Sequence, residues 1–315
     1  MHLRGRANVV GQARSEFQAS AYREAFRLDL RDGPGIAKLL KRVRPDVVLN
    51  AAAISGHETA ANDPEQARAV NVEAVDVLAE TCHDLGARLI HISTDAVFSG
   101  LTGNYSEEDS PEPFSVYGET KLVGEEKVRS ACDNHLIVRT NFFGWSYSGN
   151  KSVLEFFVNA LRARKQIRGY PDFVVTSVYV RSLVDTIWQL SERQARGTVH
   201  VASSDALSKY DFGLRVASVF DLDPELIHRL GPGNDSRTVS RSRNLSLDCS
   251  LATSLVARPM QSQAEGIRQA VLEMGAVVDM DGSKRECVAC KRAALLYALH
   301  TEAAVRDHWK DSHAD

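Results

Sequence analysis

Between residue 7 and about residue 259, short apolar runs alternate with longer stretches in which apolar positions recur every three or four residues. That alternation predicts a parallel sheet covered by helices, because strands buried on both faces read as near-continuous apolar runs. The clearest runs are 46–50, 88–93 and 135–139, with further short strands at 7–12 and 198–201. Between the first two, 64–85 carries apolar residues at Ala67, Val70, Val75, Leu78 and Ala79, which predicts one continuous helix. A helix over 118–130 precedes the third, and such crossovers are right-handed. Helices at 154–164 and 209–220 belong to a smaller, substrate-covering portion at about 141–260, and 231–244, rich in Gly, Ser and Arg, reads as a loop. The fold expected over 1–278 is α/β, with a doubly wound parallel sheet. From Asp279 the composition shifts, marking a linker into a short Cys/His tail over 279–315.

The candidate chemistry lies at the ends of these strands. A ketone that accepts a hydride needs an acid for the developing alkoxide. A tyrosine serves if a nearby ammonium draws down its pKa. Tyr117 and Lys121 stand at i and i+4, on one helix face, so the lysine is expected under the phenol. Alone, that spacing describes an exposed helix pair equally well. Its context changes the reading: Ser93-Thr94-Asp95 emerges at the carboxyl end of a buried strand, where open α/β sheets place ligands. Asn50-Ala51-Ala52-Ala53 ends the preceding strand with small residues that permit close approach of a flat cofactor, although ordinary helix–sheet packing also favours alanines.

Four motifs in order resemble the dTDP-4-dehydrorhamnose reductase family of extended short-chain dehydrogenases/reductases. They are Asn50-Ala51-Ala52-Ala53, Ser93-Thr94-Asp95-x-Val97-Phe98-x-Gly100, Tyr117-Gly118-x-Thr120-Lys121-x-x-Gly124-Glu125, and Arg139-Thr140-Asn141-x-x-Gly144. The similarity runs from about residue 7 to 272 and extends to the regulatory beta subunit of methionine adenosyltransferase. The resemblance implies a Rossmann-like fold and NADP(H)- or NAD(H)-dependent reduction of a 4-keto nucleotide sugar, as in dTDP-rhamnose biosynthesis. It makes Thr94 the hydroxyl donor, Tyr117 the acid and Lys121 the residue that holds ribose and tunes the tyrosine. Asn50, Ala51, Ala52 and Ser93 would line the cofactor, Asp29 and Leu30 would meet adenine, and Arg14 is placed for a 2′-phosphate, which points to NADP(H). Asp95, Asn141 and Trp145 would contact the sugar nucleotide. Relatives pair as homodimers through the YxxxK helix.

The chain also departs from the family. Its glycine-rich phosphate turn and first strand have no counterpart, since residues 7–12 read as the family's second strand. Truncation is the expected explanation, because an unpaired central strand is an aggregation hazard. A chain that binds dinucleotide poorly, as a non-catalytic regulatory subunit on the same fold, is the alternative. Ala96 replaces a customary tyrosine, and Val174-Val175-Thr176-Ser177 replaces a glycine–proline pair.

In the tail, Cys287, Cys290, His308 and His313 are spaced C-x2-C-x17-H-x4-H, which suits a tetrahedral structural Zn2+ site and a protein partner. A frayed helix with unrelated Cys and His is the competing reading. Charged residues make up 25% and the net charge is -3, which argues against a nucleic-acid coat or membrane-surface protein. With no apolar run long enough to span a bilayer and no signal peptide, a cytoplasmic location is expected. The other cysteines, Cys82, Cys132 and Cys249, fit buried thiols in a reducing compartment.

Overall fold

The computed structural model describes residues 7–14, 22–146, 149–230 and 243–278. In chain order the first elements are β1 (Val10–Ala13), β2 (Glu24–Arg27), α1 (Gly33–Val43), β3 (Val47–Asn50), α2 (His57–Asn62), α3 (Pro64–Arg68), a π-helical turn (Ala69–Glu73), α4 (Ala74–Leu85) and β4 (Arg88–Ile92). There follow α5 (Val116–Ala131), β5 (His135–Arg139), β6 (Asn141–Phe143), α6 (Val153–Arg162), β7 (Ile167–Gly169), β8 (Val174–Val175), β9 (Ser177–Tyr179) and α7 (Val180–Glu192). Last come β10 (Gly197–His200), β11 (Leu207–Ser208), α8 (Lys209–Phe220), β12 (Ile227–Arg229), α9 (Ser250–Val256) and α10 (Gln263–Val278).

Strands β10, β5, β4 and β3 form a four-stranded parallel sheet in that order. Its two faces bury different residues, as the period of two requires. Leu89 and Ile137 pack with Val75, Leu78, Cys82 and Val128 of α4 and α5. Ile90, Leu136 and Val138 pack on the other side with Leu183, Ile187 and Leu190 of α7 and Ala252 and Val256 of α9. Helices on both faces make the sheet doubly wound, as the sequence predicts. Cys82, Cys132 and Cys249 are buried free thiols.

The nucleotide side is built differently. Strands β1 and β2 pair in parallel with each other and form a separate two-stranded sheet. Among the described residues β3 is therefore an edge of the larger sheet, and its Val47 and Leu49 remain 44% and 47% exposed.

The helix predicted over 64–85 is not continuous. Asp63 caps α3 by accepting from Gln66 N, and the π-helical turn then separates α3 from α4. Within that turn the buried Asn71 prefers tertiary partners to its own helix: Oδ1 accepts from Ile54 N at 2.9 Å and Nδ2 reaches Thr120 Oγ1 at 3.1 Å. Helix α4 ends where Gly86 turns left-handed at φ +67°.

A third cluster lies over the carboxyl ends of the strands, where Phe143, Leu154, Phe157, Phe212, Val216 and Ile267 unite β6, α6, α8 and α10. Helix α6 opens with a capping box between Ser152 and Glu155. No helix among the described residues is long and apolar enough to cross a membrane. Cys287, Cys290, His308 and His313 lie outside the described residues, among which no cluster of His, Cys, Asp and Glu could hold a metal ion.

Candidate active site

Helix α5 carries the site. Ser115 caps it by accepting from Gly118 N at 3.2 Å, which starts the helix one residue before Tyr117. Two glycines let α5 lie against other backbones: a β-carbon on Gly118 would collide with the Ala96 carbonyl, and one on Gly124 with the Asn71 carbonyl. The helix is thus held flat over the carboxyl end of β4, the strand that feeds Ser93, Thr94 and Asp95.

Tyr117 is hydrogen-bonded to Thr94. Thr94 Oγ1 accepts from Ala96 N at 3.1 Å and donates to Asp95 Oδ1 at 3.0 Å. Thr94 thus stands between the phenol and the Asp95 carboxylate, and its one hydroxyl hydrogen can turn to either. Asn141 Nδ2 completes the carboxylate's surroundings at 2.8 Å, and Ser177 Oγ donates to Asn141 Oδ1. Burial raises Asp95 to about 6, against the lowering effect of the Asn141 and Thr94 bonds. The sequence-predicted Thr94, Asp95, Tyr117 and Asn141 therefore sit together.

Lys121, one turn further along α5, reaches the strand beneath it. It is 1% exposed, and its Nζ donates to the Ile92 carbonyl at 2.7 Å and meets His91 Nε2 at 3.1 Å. Burial lowers it to about 8, with Glu125 opposing. Tyr117 shifts opposite to the sequence expectation: burial pushes it up to about 12, the Thr94 bond opposes this and the Asp95 charge adds to it. Burial of the phenol is the largest cause, since it disfavours the phenolate.

Two other expected contacts are redirected. Ser93 Oγ donates to Glu125 Oε1 at 2.5 Å. Arg139 binds both Glu125 oxygens at 3.0 and 2.8 Å, and Arg129 adds a further contact. Although burial opposes it, this pairing with Arg139 holds Glu125 below its ordinary value. Trp145 is packed in the core of the upper cluster, edge-to-face with Phe220 at 6.1 Å. Its large apolar ring is worth more there than facing a sugar.

At the sheet edge, Asn50 is buried while Ala51 and Ala52 are exposed. Asn50 Oδ1 accepts from Ala52 N at 3.2 Å and Nδ2 faces His91 Nδ1 at 3.1 Å. Arg31 binds Asp29 through Nε and Nη2, at 2.7 Å for the latter, and holds it down to about 2, with Arg14 contributing charge. Leu30 is partly buried against the α1–α4 cluster.

Sequence reasoning missed His57, His91, Asn71 and Arg31. His57 stands edge-on to the Tyr117 ring at 5.8 Å, with Nδ1 2.9 Å from Ser115 Oγ. The legible signal was Asn71, a poor helix former in mid-helix.

Small exposed residues at the end of β3, two hydroxyls side by side and a buried lysine one turn along α5 suit the nicotinamide end of a dinucleotide. Arg14 and Arg31 beside Asp29 suit its adenosine end. The RmlD substrate binding domain family matches residues 4–275. The chain belongs to that family. It is 33% identical over 247 residues to a probable low-salt glycan biosynthesis reductase of Haloferax volcanii, covering 77% of this chain and 82% of the relative. To dTDP-4-dehydrorhamnose reductase of Mycolicibacterium smegmatis it is 28% identical, covering 88% of this chain and 86% of that protein. The match to the Escherichia coli reductase is 31% identical but spans 64% of that enzyme. Methionine adenosyltransferase 2 subunit beta of Bos taurus is 28% identical, covering 71% and 69%. Among solved structures, dTDP-4-dehydrorhamnose reductase from Bacillus anthracis in complex with NADP superposes with a TM-score of 0.76 at 21% identity, covering 84% of this chain and 98% of that one. That likeness shows the shared RmlD-type fold.

Proposed function

We propose that this chain is an NADP(H)-dependent reductase of the 4-keto group of a nucleotide-linked sugar. The observation that carries the reading is the Tyr117–Thr94 hydroxyl pair at the carboxyl end of β4, beside the exposed Ala51 and Ala52. The relatives named as reductases of such a sugar support it.

Asn50, Ala51, Ala52 and Lys121 would hold the nicotinamide riboside, and Asp29, Leu30, Arg14 and Arg31 the adenosine, with the arginines favouring a 2′-phosphate. When bound, the cofactor supplies the hydride that converts the carbonyl carbon to an alcohol carbon. Tyr117 gives its phenolic proton to the oxygen that was the carbonyl. Its pKa, raised toward 12, keeps that proton in place until the alkoxide forms. Thr94 would turn its hydroxyl hydrogen from Asp95 to that oxygen beside the phenol, while Asn141 holds Asp95 in place.

One observation favours a second reading, a binding subunit without turnover. The described residues contain no GxxGxxG turn between a strand and a helix, and β1 and β3 belong to separate sheets. The experiment that separates the two is NADPH fluorescence titration followed by assay with dTDP-4-keto-6-deoxyhexose, for this chain and for a form preceded by a strand and a glycine-rich turn. Binding and turnover by either form are expected. Replacing Tyr117→Phe should lower turnover by about 100-fold or more with the thermal transition retained. Full turnover by the Phe variant, or no NADPH binding by either form, would overturn the reductase reading.

A further inference from the structure

Two buried carboxylates stand beside the site, and the fold treats them differently. Glu125 is met by two guanidinium groups, those of Arg139 and Arg129, which cancel much of its charge where it stands. Asp95 is 3% exposed, and its described hydrogen-bond partners are all neutral. They are the Thr94 hydroxyl at 3.0 Å, the Asn141 amide at 2.8 Å and the Ala96 backbone amide. Ser177 of β9 backs the Asn141 amide from the far side. Neutral donors stabilise a carboxylate but leave its charge to act on whatever lies next to it. Next to it, one hydroxyl away across Thr94, is Tyr117.

The cations nearby are bonded to other partners. On α5, Lys121 donates to the Ile92 carbonyl and faces His91. Arg139, at the end of β5, is taken by Glu125. From α2, His57 meets the Tyr117 ring edge-on, and from β6 and β9 come the neutral Asn141 and Ser177. Burial is the largest cause of the raised phenol, the Thr94 bond opposes it, and the charge of Asp95 adds to it.

We propose that Asp95, acting across Thr94, is a positioning residue whose negative charge keeps the proton on Tyr117 and so sets the upper pH limit of the acid.

Two like charges a single hydroxyl apart in a buried place repel strongly, because little water screens them. A phenolate at Tyr117 would stand beside an uncompensated carboxylate, whereas the neutral phenol does not. Burial brings Asp95 up to about 6, with the Asn141 and Thr94 bonds opposing. The carboxylate is therefore ionised above that pH, which is the range in which the phenol must hold its proton. Below it, Asp95 takes up a proton and the repulsion vanishes, at a pH where no phenol ionises.

The consequence for chemistry rests on the reductase reading. Reduction starts from a phenol loaded with its proton, so a phenol that loses it at lower pH narrows turnover from the alkaline side. Asp95→Asn keeps the size of the side chain and removes the charge.

The test reads the phenol directly and needs no turnover. A fluorinated tyrosine at position 117 has a more acidic phenol, which brings its ionisation to milder pH, and fluorine-19 NMR follows that one group. With Asp95 present, the midpoint should stand about one pH unit or more above that of the Asp95→Asn variant, tenfold in proton affinity. Asp95→Glu keeps the charge and should restore most of the difference. Where the Asn variant does not fold, Asp95→Ser, smaller and also neutral, gives the same comparison. An equal midpoint in a folded neutral variant would overturn the proposal, as would a Glu variant that behaves like the neutral ones. With NADPH and a keto sugar, the alkaline limb of kcat/KM in Asp95→Asn should move to lower pH by the same amount. A chain that shows the fluorine shift yet neither binds NADPH nor reduces a keto sugar would sink the reductase reading and leave this assignment standing.

Discussion

Around β4 and α5, polar side chains are buried and bonded to one another: Ser93 with Glu125, Glu125 with Arg139, His91 with Lys121, and Thr94 with Asp95. On the far side of β3 the pattern reverses, with Val47 and Leu49 about half exposed and β1–β2 forming a sheet of its own. The two regions differ in what orders them. The chemical end of the site is held by contacts among α5, β4, β5, β6 and the carboxyl end of β3, away from β1 and β2. Buried networks of this kind are sensitive to single changes, because each member left without a partner carries its desolvation cost in full.

The sharpest way to break the comparison is at Glu125. Replacing Glu125→Gln strips the countercharge from Arg139, itself 3% exposed, and should cost about 3–5 kcal/mol in chemical denaturation, the range for an unpaired buried charge. A cost below about 1 kcal/mol would mean that water reaches the network. Next in size is a matched pair of truncations on adjacent strands. Leu89→Ala in β4, fully buried, should lose about 2–5 kcal/mol. Leu49→Ala in β3 should stay within about 0.5–1 kcal/mol, because much of its side chain is already in water. Equal losses would show that β3 is covered in solution.

The smallest effect sharpens the picture of Lys121. Its proton affinity in the fold lies below that of an ordinary lysine, so the unfolded chain binds the proton more tightly, and stability contributed by this group rises with pH between about 8 and 10.5. Lys121→Met should accordingly unfold at higher temperature than the parent chain at pH 7, and that advantage should shrink as the pH is raised through this interval. A pH-independent difference would place the lysine's cost elsewhere.

Much of the fold was legible in the chain. The runs that became β4, β5 and β10 are apolar because both faces are covered, β3 keeps Val47 and Leu49 about half exposed, and the helix that became α5 was marked by Tyr117, Gly118, Lys121 and Gly124 at helical spacing. Thr94, Asp95, Tyr117 and Asn141 also come together as their order along the chain implied. What spacing does not encode is the direction in which a long side chain settles. Lys121 sits at the i+4 position on which the expectation rested and bonds to β4, while burial raises the phenol's pKa rather than letting it fall. The ring of Trp145, expected at the substrate, packs in the upper cluster with its Nε1 hydrogen lacking a protein partner. The break in the 64–85 helix arises from the tertiary partners of Asn71, which lie on segments distant in sequence, at Ile54 and Thr120. His91 was read only as part of a strand, because a single histidine in an apolar run carries no local sign of its neighbours.

The glycine at 124 has a consequence for alignment. Because it sets α5 directly against the Asn71 carbonyl, two backbones meet there with no side chain between them. Such a contact works like a pin through a rod: it fixes how far along the sheet the helix stands. Tyr117 and Lys121 ride on the same rod, two turns and one turn away. The phenol thus takes its position from a junction of main chains remote from the ketone, and small errors at that junction should surface as a misaimed proton rather than as a loosened fold.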